Sequence, residues 1–268
     1  MISALAPAKI NLALVVGPVR QDGLHEVATI MQRLDLNDTI TLEPAGELAV
    51  EGFAGYTLVR RALEAVAGAA GAEPRWRATI DKRIPVAAGL GGGSSDAAAA
   101  MRLANELLGS PVPPVRLHEL AAALGADVPF FLEPGPQLGT GDGTNLEAID
   151  LRQDFTVLLL LPHGETKQST AEVYARFTRE GGFRERSLLL RRVAADGPNA
   201  DLGSLPPNDL VRSPHTRRLL ELGAFRADVS GAGPTLYALF ADDALAEAAA
   251  SAVSALGDTW LARPTWYV

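Results

Sequence analysis

Between Pro85 and Ala100 the sequence reads PVAAGLGGGSSDAAAA, with four glycines and two serines ahead of a run of helix formers. Glycine permits positive φ and lets backbone N–H groups approach a ligand without interference from a Cβ. A helix beginning directly behind such a loop adds free N–H donors and about half a unit of positive charge, and together these make an anion site. The plain alternative is a turn in which Ser94 or Ser95 merely caps the helix. The number of glycines, with Pro85 and the paired serines, favours phosphate. Two commoner phosphate loops do not fit. A Walker A loop ends in Gly-Lys-Ser/Thr, whereas Gly93 is followed by Ser94-Ser95, and the dinucleotide fingerprint needs a glycine at Ser94 and a strand abutting Gly89. The protein-kinase set fails as well, for want of a His-Arg-Asp or Asp-Phe-Gly triplet.

Two charged residues stand in strand-like and turn-like surroundings. Lys9 lies in AKINLALVV, where alternation puts Lys9, Asn11 and Ala13 on one face. A strand lysine is ordinarily solvated, but this chain otherwise uses arginine, and its lysines, Lys9, Lys82 and Lys167, mark places that suit a compact ammonium. Asp127, in LGADVPFF, follows a helix-ending glycine. By spacing alone it is equally a turn aspartate bonding backbone amides or a general base. His118, His163 and His215 have no partners at metal-ligand spacing, and Asp142 in GTGDGTN reads as a polar turn without the oxygens of a calcium loop.

Pro85-x-x-x-Gly-Leu-Gly-Gly-Gly-Ser-Ser95 resembles the phosphate loop of the GHMP small-molecule kinases. Ala6-Pro-Ala-Lys-Ile-Asn-Leu12 resembles their first motif, and Ser230-Gly-Ala-Gly-Pro-Thr235 their third. Within that superfamily, four segments resemble the 4-diphosphocytidyl-2-C-methylerythritol kinase family: Pro7 to Leu12, Asp22-Gly-Leu-His-Glu-Val27, Ile80-Asp-Lys-Arg-Ile-Pro85 and Leu124 to Phe131. The likeness runs nearly end to end. It implies an ATP- and Mg²⁺-dependent kinase acting on the 2-hydroxyl of a cytidine-diphosphate-linked methylerythritol, in the non-mevalonate route to isoprenoid precursors. It also implies an α+β fold in two domains, a ribosomal protein S5 domain 2-like unit over 1–150 and a ferredoxin-like unit over 151–268.

By the same resemblance, Asp127 is the general base and Lys9 the cation that keeps it ionised, with Asn11 hydrogen-bonding the polyol. The triphosphate lies along Gly89, Leu90, Gly91, Gly92, Gly93, Ser94 and Ser95, with Ser95 a ligand or neighbour of Mg²⁺. Lys82, Pro85 and Tyr56 to Arg60 fall on the nucleotide side, near the adenine. His25 meets the cytosine, Tyr174 stacks on it, and Thr170 lies near the methylerythritol hydroxyls. Two positions depart from the family: Leu24 replaces the usual tyrosine, and Tyr56-Thr57 replaces Asn-Leu. The competing readings are a mevalonate- or homoserine-type GHMP kinase, a nucleotide-binding regulator with a dead site, and a noncatalytic interaction domain. The first of these keeps the loop but lacks Asp-Gly-x-His-Glu and LGADVPFF.

These residues need a frame to hold them. At 268 residues and 47% hydrophobic content the chain has room for one large domain or two ordinary ones. Periodicity predicts strands over Ile10–Val16, Thr39–Leu42, Arg75–Ile80, Phe155–Leu161, Ala227–Ser230 and Thr235–Phe240, with a last strand near Trp260. It predicts helices over Tyr56–Ala70, Ser95–Leu108, Val115–Leu124, Arg184–Ala195, Thr216–Leu222 and Asp243–Leu256, and another beginning near Thr170. This mixed order is that of an α+β sandwich. A net charge of −8 without a basic stripe argues against a nucleic-acid partner. The longest apolar run, FTVLLLLP, is far short of the roughly 20 residues of a membrane span. The N-terminus has no basic leader with a cleavage site, so no secretory signal is expected, and the absence of cysteine suits a reducing cytoplasm. The expected partner is a small molecule, bound by a monomer or homodimer.

Overall fold

Ile2–Val19 (β1) and His25–Pro44 (β2) pair antiparallel along almost their whole length. The computed structural model describes residues 1–53, 57–165, 169–178 and 181–266; Tyr56 and Lys167 lie outside them. The free edge of β2 is shared along its length. Ala49–Glu51 (β3) pairs parallel with Trp76–Asp81 (β4), which runs antiparallel to the end of β2. The hairpin of Gln137–Gly141 (β5) and Asn145–Ala148 (β6) pairs with its beginning. Thr57–Ala69 (α1), Gly92–Leu107 (α2) and Pro114–Leu124 (α3) bury Val59, Leu63, Ala97, Met101 and Ala121 against one face of this sheet.

The second sheet is formed by Thr156–Pro162 (β7), Arg226–Val229 (β8), Leu236–Phe240 (β9) and Gly257–Ala262 (β10), in the order β10-β7-β9-β8. Thr170–Ala175 (α4) and Phe183–Ala195 (α5) follow β7, and His215–Glu221 (α6) and Asp243–Val253 (α7) follow in turn. Leu219, Ala246 and Val253 cover one face of this sheet. Its other face meets β1, where Ile10 and Leu12 pack with Val157, Leu159 and Leu239, and Leu190 of α5 joins them. Pro264–Thr265 (β11) then returns to pair with β2. The chain is therefore an α+β protein whose two sheets share a core along β1.

The structure departs from the sequence expectation in three places that matter for the site. Only Thr39–Leu42 of the 20-residue β2 was expected to be strand. Its middle carries Thr29, Gln32 and Arg33, all buried, and these polar side chains on both faces break the alternation that announces a strand. Second, a register shift between Asn11 and Ala13 inserts a bulge into β1. A bulge reverses which face later residues present, so Leu14 joins Lys9 and Asn11 on the cleft while Ala13 turns into the core. Third, α2 starts at Gly92, three residues earlier than expected, so two of the loop's glycines are helical.

The remaining two adopt positive φ, +82° at Gly89 and +72° at Gly91. A Cβ at Gly91 would lie 2.9 Å from both Lys9 Cγ and Phe131 Cζ, and one at Gly89 would lie 2.6 Å from the Gly233 carbonyl oxygen. Only glycine lets four chain segments converge here. Lys9 N donates to Leu90 O at 2.9 Å and Thr235 N to Ala88 O at 3.2 Å, stitching the loop to β1 and to the 230–235 turn.

The segment after α3 is held by Arg33, which is 2% exposed. Its guanidinium donates to Gly135 O at 2.7 Å and to the carbonyls of Phe130 and Glu133, and lies 4.5 Å over the Phe130 ring. Burial, reinforced by the charge of Arg102, brings this group down to about 10, so it remains a cation at neutral pH. Charge-assisted hydrogen bonds contribute about 1.5–3 kcal/mol each, and removing the donor leaves three carbonyls unmatched. Arg33→Met is therefore expected to destabilise the fold by on the order of 3 kcal/mol. The check is a lowered urea midpoint at unchanged slope; an unchanged midpoint removes Arg33 from this role.

Candidate active site

Lys9 reaches the cleft from β1 with its side chain only 4% exposed. A buried ammonium must be paired and hydrogen-bonded. Its Nζ lies 3.3 Å from Asp127 Oδ2 and donates to Asn11 Oδ1 at 2.6 Å. Asn11 is fixed in turn: its Nδ2 donates to Thr29 Oγ1 at 2.8 Å, and the Thr29 hydroxyl donates to Ala13 O at 2.7 Å. The backbone of Asn11 donates to Ser230 Oγ at 3.3 Å, and that hydroxyl donates to Gly89 O at 3.3 Å. Asp127, in the turn between α3 and the 3₁₀ segment Pro129–Leu132, is 40% exposed and opens to solvent on its far side.

Beside this pair the N-terminus of α2 has Gly91 as its cap and no side chain bonding its first amides. The N–H groups of a helix's first turn have no intrahelical acceptor and attract anions. Ser95, 1% exposed, has a hydroxyl without a hydrogen-bond partner. Lys82 leaves the end of β4 and gives its ammonium to the carboxylates of Asp38 and, at 2.9 Å, Asp96.

At the other end His25 Nδ1 donates to Gly17 O at 2.8 Å, which fixes the proton of the neutral ring on Nδ1 and leaves Nε2 as an acceptor. The Tyr174 ring lies 5.8 Å from that of His25 at 35°, and Phe177 meets His25 edge-on at 5.6 Å. Rings that close are in mutual contact, so a planar ligand can stack on the outside of this cluster and not between its members. Burial, with the Asp127 charge added, pushes the Tyr174 phenol above its usual range, keeping it a hydroxyl donor.

A continuous cleft of about 930 Å³ joins these features. Lys9, Asn11, His25, Lys82, Pro85, Gly89 to Ser94, Asp127, Thr170 and Tyr174 all line it. Ser95 is set back from its wall; from the Tyr56–Arg60 segment Leu58 lines it, from the 230–235 turn Gly231 and Ala232 do, and Leu24 lines the His25 end. Asp142 closes the β5–β6 hairpin, its carboxylate accepting from the amide and hydroxyl of Thr144 at 3.1 and 2.6 Å. Sequence reasoning missed Thr29, Asp38, Asp96 and Phe177. Phe177 follows Tyr174 by three residues, a helical spacing that carried a signal. Asp38 stands just before the expected strand Thr39–Leu42 and carried no signal of its own.

The GHMP kinases N terminal domain family matches residues 57–135, and the GHMP kinases C terminal family matches 216–259. The 4-diphosphocytidyl-2-C-methyl-D-erythritol kinase of Pelotomaculum thermopropionicum is 38% identical over 262 residues, covering 90% of this chain and 90% of its own. That of Nocardia farcinica is 40% identical over 269 residues, covering 91% and 87%. A crystal structure of 4-(cytidine 5'-diphospho)-2C-methyl-D-erythritol kinase superposes with a TM-score of 0.80 at 30% identity, over 98% of this chain and 99% of its own. Homoserine kinase from Cytophaga hutchinsonii, at 18% identity and a TM-score of 0.79, shares the fold. With that agreement over almost the whole chain, the protein is a small-molecule kinase and belongs to the 4-diphosphocytidyl-2-C-methyl-D-erythritol kinase family of the GHMP kinases.

Proposed function

We propose that this chain transfers the γ-phosphoryl group of ATP to the 2-hydroxyl of 4-diphosphocytidyl-2-C-methyl-D-erythritol, a step toward isoprenoid precursors. The observation that carries the reading is the buried Lys9 ammonium, 3.3 Å from the carboxylate of Asp127, midway along a cleft with an open helix N-terminus on one side and an aromatic cluster on the other. The names of the relatives supply the substrate.

The acceptor hydroxyl docks against Lys9 and Asp127. Asp127 takes its proton as the new phosphorus–oxygen bond forms and the bond from the γ-phosphorus to the departing ADP breaks, and Lys9, 3.3 Å from the carboxylate, steadies the emerging negative oxygen. Phosphoryl transfer passes through a loose transition state, so alignment and charge neutralisation do most of the work. Asn11, locked by Thr29, orients the ammonium and presents its amide edge to the polyol. The triphosphate lies along Gly89 to Ser95 on the first amides of α2, and residues 1–150 carry this nucleotide side. The His25 Nε2 acceptor suits an exocyclic amine such as that of cytosine, with Tyr174, from 151–268, stacking on the ring and Thr170 near the polyol hydroxyls.

Ser95, whose buried hydroxyl lacks a partner, is the residue that fits Mg²⁺. Among the described residues no group of three His, Cys, Asp or Glu is gathered for a metal, and Ser95 would hold the ion together with the nucleotide. When bound with the nucleotide, the ion neutralises phosphate charge.

Incubation with ATP, Mg²⁺ and the cytidyl substrate, beside mevalonate and homoserine, should give a new phosphomonoester signal in phosphorus NMR with the cytidyl substrate alone. Phosphorylation of another acceptor overturns the substrate assignment, and ATP binding without turnover of any acceptor overturns the catalytic one. Asp127→Ala is expected to lower kcat by on the order of 10²–10⁴ while leaving ATP affinity intact. A full-rate variant contradicts the role of the base.

A further inference from the structure

We infer that Asp38, on β2, is a positioning residue for the nucleotide, acting through Lys82; the inference rests on the ATP-site reading above. Asp38 is completely buried. Its Oδ1 accepts from the backbone amides of Arg83 at 2.6 Å and Ile84 at 2.8 Å, and its Oδ2 accepts from Lys82 Nζ. The same ammonium donates to Asp96 Oδ2 on α2 at 2.9 Å. One cation thus ties together the central strand, the chain leaving β4 and the first turns of the helix behind the phosphate loop.

The distribution of exposure gives the arrangement a direction. Both carboxylates are sealed at 0% side-chain exposure, whereas Lys82 keeps 13% and lines the cleft. Two carboxylates and an ammonium thus stand together behind a site for a triphosphate. Such a centre serves an anion only when the anions face inward and the ammonium outward, which is the observed order. A Cβ at Gly92 would stand 3.2 Å from Nζ, so the charge lies against the first residue of α2. Lysine has a flexible stem that loses much rotamer freedom when fixed. Asp38 fixes it before the ligand arrives, which lowers the entropic cost of binding.

The test uses the full chain and calorimetric titration with Mg²⁺ and a nonhydrolysable ATP analogue, together with steady-state kinetics. Asp38→Asn keeps an oxygen for the two amides but presents an NH₂ group to Lys82. It is expected to raise the analogue's Kd and the KM for ATP roughly tenfold, with kcat and the KM for the acceptor changing by less than about threefold. Because Asp38 acts through Lys82, adding Asp38→Asn to Lys82→Met should bring no further loss. Unchanged affinity, or losses that multiply, overturns the inference while wild-type binding keeps the ATP site. If the wild type fails to bind the analogue, the ATP-site reading itself falls. Should Asp38→Asn fail to fold, Asp96→Asn removes the ammonium's other carboxylate and must show the same nucleotide-specific loss; normal affinity there also overturns it.

Discussion

An ammonium sealed from water needs an anion and acceptors around it, and the site is organised by the way this chain meets that need at Lys9. Its carboxylate comes from the turn after α3, its carbonyl partner from Asn11 two residues along the same strand. Each must be brought to within hydrogen-bonding range of a side chain that cannot move far, since Gly91 lies against its stem. The need to pair one buried charge therefore fixes the mutual placement of β1, the phosphate loop and the segment bearing Asp127. Desolvation also strengthens whatever the charge does: in a low-dielectric setting an ammonium polarises a neighbouring oxygen more than it can in water.

The two sheets serve this arrangement in different ways. The first supplies a rigid floor, since β2 is long enough to hold Thr29, Arg33 and Asp38 on one strand and so to brace Asn11, the Asp127 segment and Lys82 from a single element. The second supplies a wall. The 230–235 turn bonds to Gly89 and to the backbone of Asn11, and the Tyr237 hydroxyl donates to Leu12 O at 2.8 Å, so the wall is anchored to β1 itself. Between them runs a cleft with anion-seeking amides at one end and rings at the other. That polarity suits the proposed transfer of a phosphoryl group from a triphosphate to a nucleotide-linked polyol.

Much of this was legible in the sequence because loop chemistry is local. The glycine segment, PAKINL and LGADVPFF announce themselves through residue types whose use depends on near neighbours, and the helices α1, α3 and α5 follow from apolar spacing. What escaped depended on distant partners. Gln32 and Arg33 look like surface residues, and only carbonyls and a glutamine far along the chain make them core residues. Asp38 needs Lys82 and two later amides to acquire a purpose. The bulge that puts Leu14, rather than Ala13, on the cleft arises from pairing register, which a single strand does not reveal. Lys9 itself is ambiguous in sequence, since its role depends on a burial that distant segments impose.

The central claim is that Lys9 and Asp127 act as one unit on the acceptor hydroxyl. Residues that work as a unit give losses far from additive. The decisive measurement is the single-turnover rate of phosphoryl transfer for Lys9→Met, Asp127→Asn and the double variant, each at saturating ATP and acceptor. The account predicts that the double variant is about as slow as the slower single one; losses that multiply in full would mean that the two groups work independently and would contradict it.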